Sequence, residues 1–366
     1  MKTKVATKDF KKAIRKVISI LDSQEIKLND FVEIEVKADK LTMRTNNSTQ
    51  SIAASLKCET ETEGGLIVSA KMLNIITGKL ESETIILEET EKELILKYEE
   101  NKCSIRKTEA EIPSFPEEKT ILENEIEAKK LSEMLSKVTM FCNEKATNAT
   151  QGINIKFNGD SIKAMAATNY MGVITETAFE KQFENKNITL NKKSAIVINE
   201  LCQETEEQYI TLKISDKFIQ YEDKDTVFIA ATISGNFPDL ESVFNKRRNN
   251  AKTLERNKMI KALERINCFD SGNVPSIIVT RGNTMIMDIK SELGSNIEKI
   301  TYEGNIEEKT IAMNCSYLLK ALKKCKSDKV SLYINEPLSV AFLYSEDARF
   351  AITPLRVTAA QLASVA

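Results

Sequence analysis

Apolar residues recur at helical spacing in three places that are themselves regularly spaced. Phe10 and Ile14 sit in Asp9-Phe10-Lys11-Lys12-Ala13-Ile14, Leu131 and Leu135 in Lys130-Leu131-Ser132-Glu133-Met134-Leu135, and Met259 and Leu263 in Lys258-Met259-Ile260-Lys261-Ala262-Leu263. A period of roughly 125 residues is the mark of one unit used three times. The first pass predicts strand Lys2–Ala6, a helix over 8–21, period-2 strands over 32–36 and 40–45, a helix over 70–80, strands over 84–87 and 93–98, and a closing stretch Cys103-Ser104-Ile105-Arg106. The second predicts a helix over 128–141, strands over 152–157 and 162–167 about a turn at Asn158-Gly159-Asp160, a helix over 192–203, strands over 209–214 and 218–221, and a close at Val227-Phe228-Ile229-Ala230. The third predicts a helix over 256–269, strands over 276–280 and 285–290, a helix over 316–325, strands over 330–334 and 340–344, and a close at Phe350-Ala351-Ile352-Thr353.

This order predicts an α+β fold of three tandem units, residues 1–120, 121–248 and 249–357, each with two helices on antiparallel sheets. Residues 358–366 follow as a disordered tail. Linkers are expected at Ser114–Lys119 and from Phe244 to Thr253, a stretch containing Lys246-Arg247-Arg248-Asn249-Asn250. Phe115-Pro116 and Phe237-Pro238 stand at equivalent unit exits, where a residue that cannot donate to a ladder suits a crossover.

Composition narrows the chemistry. With 42% hydrophobic and 29% charged residues the chain reads as a soluble globular protein. No apolar run approaches the roughly 20 residues needed to span a bilayer, and Met1-Lys2-Thr3-Lys4-Val5 has no signal core, so a cytoplasmic, nucleoid-associated location is expected. The seven cysteines are scattered without a Cys-x-x-Cys pair, which suits reduced thiols and no metal site. Histidine is absent. That removes Ser-His-Asp and Cys-His centres and the commonest metal ligand. Phosphate-loop and dinucleotide-binding glycine patterns are absent too, so neither catalysis nor a cofactor is expected.

Charge, once partitioned, is informative. The chain carries a net −2, yet the six expected helices, counting Lys326 at the end of the last, together carry +16. The basic positions are Lys8, Lys11, Lys12, Arg15 and Lys16; Lys71 and Lys79; Lys129, Lys130 and Lys137; Lys192 and Lys193; Arg256, Lys258, Lys261 and Arg265; and Lys320, Lys323 and Lys324. Any one such helix equally suits a plain solvated face. All six together predict a surface that attracts phosphates without reading bases.

The triple repeat, the basic helices and the Phe-Pro exits resemble the bacterial DNA polymerase III beta subunit, the DNA sliding clamp. Asn314-Cys315-Ser316-Tyr317-Leu318-Leu319-Lys320-Ala321-Leu322 is similar to that family's last helix, Glu336-Pro337-Leu338-Ser339 and Thr353-Pro354-Leu355-Arg356-Val357 to its loop and terminal strand, and Ser234-Gly235-Asn236-Phe237-Pro238-Asp239-Leu240 to its middle-domain exit. The resemblance implies three copies of the DNA-clamp fold and a head-to-tail homodimer, a six-domain ring with helices lining the pore. It encircles double-stranded DNA non-specifically. Through short peptide motifs it tethers the replicative polymerase, the clamp loader and repair proteins. Carried over, Cys103 and Ile105 meet Cys268 and Phe269 across the dimer contact. The implied peptide cleft is walled by Thr150, Tyr170, Gly172, Pro238, Val243, Leu338, Val340, Ala351, Thr353, Pro354 and Leu355. Ala167-Thr168-Asn169-Tyr170-Met171-Gly172 departs from the family's usual Thr-Asp-Gly-His-Arg-Leu, with Met171 in place of Arg and Gly172 in place of Leu. Such a cleft implies partners private to one organism or replicon. The alternatives are a divergent phage or mobile-element paralogue and, further off, an enzyme using Lys and carboxylates.

Overall fold

The computed structural model describes residues 1–21, 27, 30–113, 119–143, 149–245, 250–272 and 274–358. Most of the first linker with its Phe115-Pro116 pair, residues 246–249 of the second linker and nearly all of the tail lie outside this set. The helices are α1 (Thr7–Ile18), α2 (Ala70–Gly78), α3 (Ala128–Val138), α4 (Lys192–Glu204), α5 (Leu240–Phe244), α6 (Arg256–Asn267) and α7 (Cys315–Lys324). Each long helix forms because its apolar residues fall on one face. Phe10, Ala13, Ile14 and Val17 are buried on α1, and Met259, Ala262, Leu263 and Ile266 on α6. Ends differ from expectation by one to three residues. The last turn expected of α3 is instead a 3-10 turn, Thr139–Phe141.

The chain folds as two compact units, Met1–Ser132 with Lys193–Ile233, and Glu133–Lys192 with Ser234–Ala366. The expected middle segment is therefore divided between them. In the first unit a five-stranded sheet runs in the order Glu59–Thr62, Lys2–Ala6, Thr84–Glu89, Glu93–Tyr98, Asn101–Arg106. An eight-stranded sheet runs Leu122–Glu127, Tyr209–Ile214, Phe218–Glu222, Thr226–Ala231, Gln50–Lys57, Lys40–Asn46, Phe31–Lys37, Gly64–Ser69. Its central joint pairs Thr226 with Ala54 and Ala230 with Gln50, uniting segments from two of the expected repeats. Lys16 Nζ donates to Thr226 Oγ1 (2.6 Å), and Gln50 Nε2 to Ser194 Oγ (2.8 Å), both within the buried interior.

In the second unit a seven-stranded sheet runs Gly152–Ala167, Met171–Asn191, Arg349–Ile352, Ala341–Tyr344, Lys329–Tyr333, Ala251–Glu255, Glu303–Gly304. A four-stranded sheet runs Gly294–Thr301, Thr284–Ser291, Ser276–Arg281, Lys309–Met313. The turn expected at Asn158-Gly159-Asp160 is instead an irregularity inside one long strand. Gly159, at φ +58°, carries the register shift against Phe183. The strands Gln50–Lys57, Leu122–Glu127, Ala251–Glu255 and Gly294–Thr301 have no counterpart in the sequence pattern. Phe244, expected to begin a linker, is buried at 4% exposure.

One side chain strains the second unit. Lys252 on strand Ala251–Glu255 is fully buried, and its ammonium lacks a hydrogen-bond partner among the described residues. It lies 5.5 Å from the centroid of the Tyr302 ring. Burial pushes the amine below its ordinary pKa, against the pull of Glu307. Because the folded state disfavours the proton, stability falls as pH drops below the free-lysine value, down to the lowered pKa. Lys252→Met is expected to stabilise the protein at pH 7 by about 1–3 kcal/mol. The gain shrinks toward pH 10.5, where the free amine also loses its proton. Urea unfolding midpoints at the two pH values check this, and a destabilised variant at pH 7 refutes it.

Candidate functional site

The strongest candidate site lies in the second unit, where helix α5 packs on the seven-stranded sheet. Met171–Ile174 pairs with Arg349–Ile352, setting Gly172 opposite Ala351 and Val173 opposite Phe350. Met165, Ile174, Phe244, Phe342 and Ala351 form a buried cluster there, with Phe237, Leu240, Val243, Tyr333, Val340 and Tyr344 partly buried around it. Phe244 meets Phe342 edge-on with centroids 5.7 Å apart. The Tyr344 hydroxyl donates to the Phe244 carbonyl at 3.3 Å.

Helix α5 is too short to be stable alone. It is held by a cap, Asp239 Oδ1 accepting from Ser242 N–H at 3.1 Å, and by two ion pairs. Glu241 takes Lys163 at 2.8 Å and Lys156 at 2.9 Å, both from strand Gly152–Ala167. Hydrogen bonds from Lys163 and then Lys156 hold the Glu241 carboxyl below the usual range. A Cβ added at Gly172 would touch Leu240 Cδ2 at 3.6 Å, so Leu240 covers the space this glycine leaves open.

The predicted wall residues are placed unevenly. Gly172, Val243, Val340 and Ala351 come together around α5. Tyr170 is linked to Thr353, whose N–H and hydroxyl both donate to the Tyr170 carbonyl, at 2.9 and 3.1 Å. The Tyr170 ring, 51% exposed, stacks on Tyr317 with centroids 5.9 Å apart. Leu338 is 69% exposed, and Pro238 is exposed at the entry to α5. Pro354 and Leu355 are half-buried; the Leu355 N–H donates to the Ala312 carbonyl on the neighbouring sheet. Thr150 sits on the 3-10 turn Ala149–Gln151, where its carbonyl accepts from Asn143 N–H at 3.2 Å. Met171 is buried, and alternation along its strand sets it on the face opposite Gly172. Sequence reasoning misses Leu240, Glu241, Phe244, Phe342 and Tyr317. The signal for α5 is present as an Asp239 cap before apolar residues at i, i+3 and i+4.

Most expected cations are accessible, with two corrections. Lys16 and Lys137 are buried, at 8% and 6% exposure. Lys16 serves Thr226, and Lys137 pairs with Asp347 at 2.9 Å. Neither faces solvent, because both lie on the inward side of their helices. Lys11 donates to the carbonyls of Gly78 and Leu80, capping the C-terminus of α2. Lys193 donates to the Leu21 carbonyl at 2.7 Å. Lys12, Lys71, Lys192, Arg256 and Lys324 are half-buried, and Lys79 is exposed. Lys130, Lys258, Arg265 and Lys323 carry acid partners in Glu127, Glu255, Glu298 and Glu264. Lys8, Arg15, Lys129, Lys261 and Lys320 are exposed, with no acid in ion-pair range among the described residues. α4 ends at Glu204 rather than residue 203, which leaves it with no net charge.

Of the four expected interface residues, Cys103 is half-buried and Ile105 is buried in its own unit, on strand Asn101–Arg106 at a sheet edge. The Ile105 side chain is thus a core residue, and what that strand offers a partner is its backbone edge. Cys268 is exposed at the end of α6, and Phe269 lies against Gly294, 3.4 Å from its Cβ position.

Two family models match the chain. DNA polymerase III beta subunit, central domain, matches residues 125–239, and DNA polymerase III beta subunit, C-terminal domain, matches residues 241–356. A beta sliding clamp from Mycoplasma capricolum is 22% identical over 344 residues, covering 89% of each chain. The solved DNA polymerase III subunit beta of Pseudomonas aeruginosa is similar with a TM-score of 0.90 at 16% identity, covering 98% of this chain and 100% of that one. A Helicobacter pylori beta clamp bound to a DNA ligase peptide is similar with a TM-score of 0.86 at 18% identity, covering 97% and 100%.

The α5 clamp is directly testable. Glu241→Gln removes a depressed carboxylate whose stabilisation is present above the free-glutamate pKa and lost as pH falls through its own lower value. These are partly exposed pairs, so a loss of about 0.5–1 kcal/mol at pH 7 is expected. Below the depressed pKa the variant and the parent are expected to converge. Chemical denaturation across pH checks this; an equal difference at pH 7 and pH 2.5 refutes it.

Proposed function

This chain belongs to the DNA polymerase III beta-subunit family, and from that premise we propose how it acts as a sliding clamp. The family's members are non-catalytic processivity subunits. Two copies join head to tail into a six-domain ring around duplex DNA, built from clamp domains 1–120, 121–248 and 249–357. The ring tethers the replicative polymerase, and a separate loader opens it. It works in the cytoplasm, on the nucleoid; no helix among the described residues is long and apolar enough to cross a membrane.

The observation that carries the DNA reading is the set of exposed cations on α1, α3, α6 and α7 without acid partners among the described residues. They attract phosphates by releasing counterions, with no sequence readout. Acid partners on Lys130, Lys258, Arg265 and Lys323 temper that attraction. A topological tether gains from weak binding, since a tight grip would stop it sliding.

The head-to-tail reading rests on unlike sheet edges. Strand Asn101–Arg106 ends one sheet and strand Gly294–Thr301 ends another. Each unit also exposes apolar residues: Met72 and Ile75 on α2 in the first, and Leu293 and Ile297, both 59% exposed, beside and on strand Gly294–Thr301 in the second. Edges that pair with each other form a heterologous contact, which closes into a ring when its rotation allows. The α5 groove receives a short apolar peptide from the polymerase, the loader or repair proteins, as the Helicobacter pylori clamp receives a DNA ligase peptide. A divergent clamp of phage or mobile-element origin is the second reading. The Leu240-covered Gly172 favours it, because it reshapes the groove.

Native mass near twice 41.2 kDa is expected at micromolar concentration. Changing Lys8, Arg15, Lys129, Lys261 and Lys320 to Gln is expected to flatten the salt dependence of DNA binding by roughly one unit of log–log slope for each phosphate no longer neutralised. Glu264→Gln, which frees Lys323, is expected to steepen it. An unchanged slope in both variants removes these helices from the DNA-facing surface.

A further inference from the structure

Three thiols are accessible among the described residues: Cys58 and Cys103, both half-buried, and the exposed Cys268. The other four are buried, and burial pushes Cys315 to about 12 and Cys325 to about 11. Of these, Cys103 lies on one of the two sheet edges that the head-to-tail reading joins, and Cys268 ends the helix that packs on the other. Cys103 is on strand Asn101–Arg106, two residues before the buried Ile105, so it shares the inward face of that strand. Cys268 caps the end of α6 through its N–H to Arg265 and Ile266 carbonyls. Helix α6 lies on the inward face of strand Gly294–Thr301. Arg265 there forms two 2.6 Å bonds to Glu298. Phe269 rests against Gly294 at the start of the same strand, 3.4 Å from its Cβ position.

When two strands join edge to edge, inward faces continue across the seam. The inward face of Asn101–Arg106 then runs onto the layer that holds the end of α6. We propose that Cys268 and Cys103 of the partner subunit form a redox-controlled disulfide that locks the seam between two copies. The proposal rests on the head-to-tail reading above. The more exposed Cys268 attacks a low-molecular-weight disulfide, forming a mixed disulfide and expelling one thiol. Cys103 of the partner subunit then attacks the mixed disulfide, forming the Cys–Cys bond and expelling the second thiol. The two cysteine protons end on the two expelled thiols, and the oxidant's bond is the one reduced. Burial raises the Cys103 thiol, which suits it to the second, slower step. A locked seam is closed to the loader until a thiol reductant restores both cysteines.

The test treats the full chain with oxidised glutathione and measures native mass and non-reducing electrophoresis together. The expected result is a covalent two-chain species that reductant reverses. It is lost in Cys103→Ser and in Cys268→Ser alone, and returns as a single crosslink when those two variants are mixed. A native dimer that stays uncrosslinked overturns the lock and leaves the head-to-tail reading intact. A crosslink that survives in either single variant overturns it as well, assigning the bond to Cys58 or to a like pair. A strict monomer by native mass overturns the head-to-tail reading itself, and the lock with it.

Discussion

Strand pairing between segments far apart in sequence is the constraint on which everything else depends. An unpaired backbone amide buried away from water is costly, so each sheet edge must be paired, covered or left wet. Two ladders answer this by joining distant parts of the chain: Gln50–Ala54 with Thr226–Ala230, and Met171–Ile174 with Arg349–Ile352. The second ladder also creates the groove. It sets Gly172 beside Ala351, and two small side chains in register leave the shallow floor on which Leu240 rests. Without that register the apolar residues of α5 would have no sheet to cover.

Charge follows a similar logic of partial satisfaction. The helices carry cations, but only some remain free to attract a polyanion. Lys16 and Lys137 are engaged inside the protein, Lys11 on the end of α2, and several surface cations on neighbouring carboxylates. Exposed pairs of this kind contribute little stability. Their larger effect is on the field, which they weaken at short range without reversing its sign.

The sequence is most legible where a single periodicity rules. The basic amphipathic helices and the strands Lys2–Ala6, Glu93–Tyr98 and Tyr209–Ile214 can be placed to within a few residues because one face of each is buried throughout. Leu122–Glu127 escapes because it is a sheet edge whose alternate positions are Glu123, Glu125 and Glu127, which reads as polar. Asn158-Gly159 misleads because the strongest local turn signal is overruled by a partner strand, Met171–Asn191, long enough to pair on both sides of it. The pairing of Gln50–Ala54 with Thr226–Ala230 is hidden because it joins segments of two different repeats. Of the candidate site, Gly172, Val340 and Ala351, which lie around α5, are among the residues that the family resemblance singles out. Helix α5 is legible only faintly, through its Asp239 cap and three apolar residues, since five residues are too few for a sustained period and its stability comes from Glu241, Lys156 and Lys163 across the fold.

The groove and the helices therefore answer to different physics. Around α5 the nearest charges, Lys156 and Lys163, are both engaged in ion pairs by the single carboxylate of Glu241. What remains to recognise a peptide is apolar shape, the exposed Leu338 and the Tyr170–Tyr317 stack. Apolar burial is nearly indifferent to modest salt, whereas phosphate attraction falls steeply with it. On the proposed reading, peptide capture and DNA binding thus separate along an ionic-strength axis. On that reading, a rise in salt that weakens the helices' attraction to the DNA backbone leaves an apolar peptide contact largely unchanged.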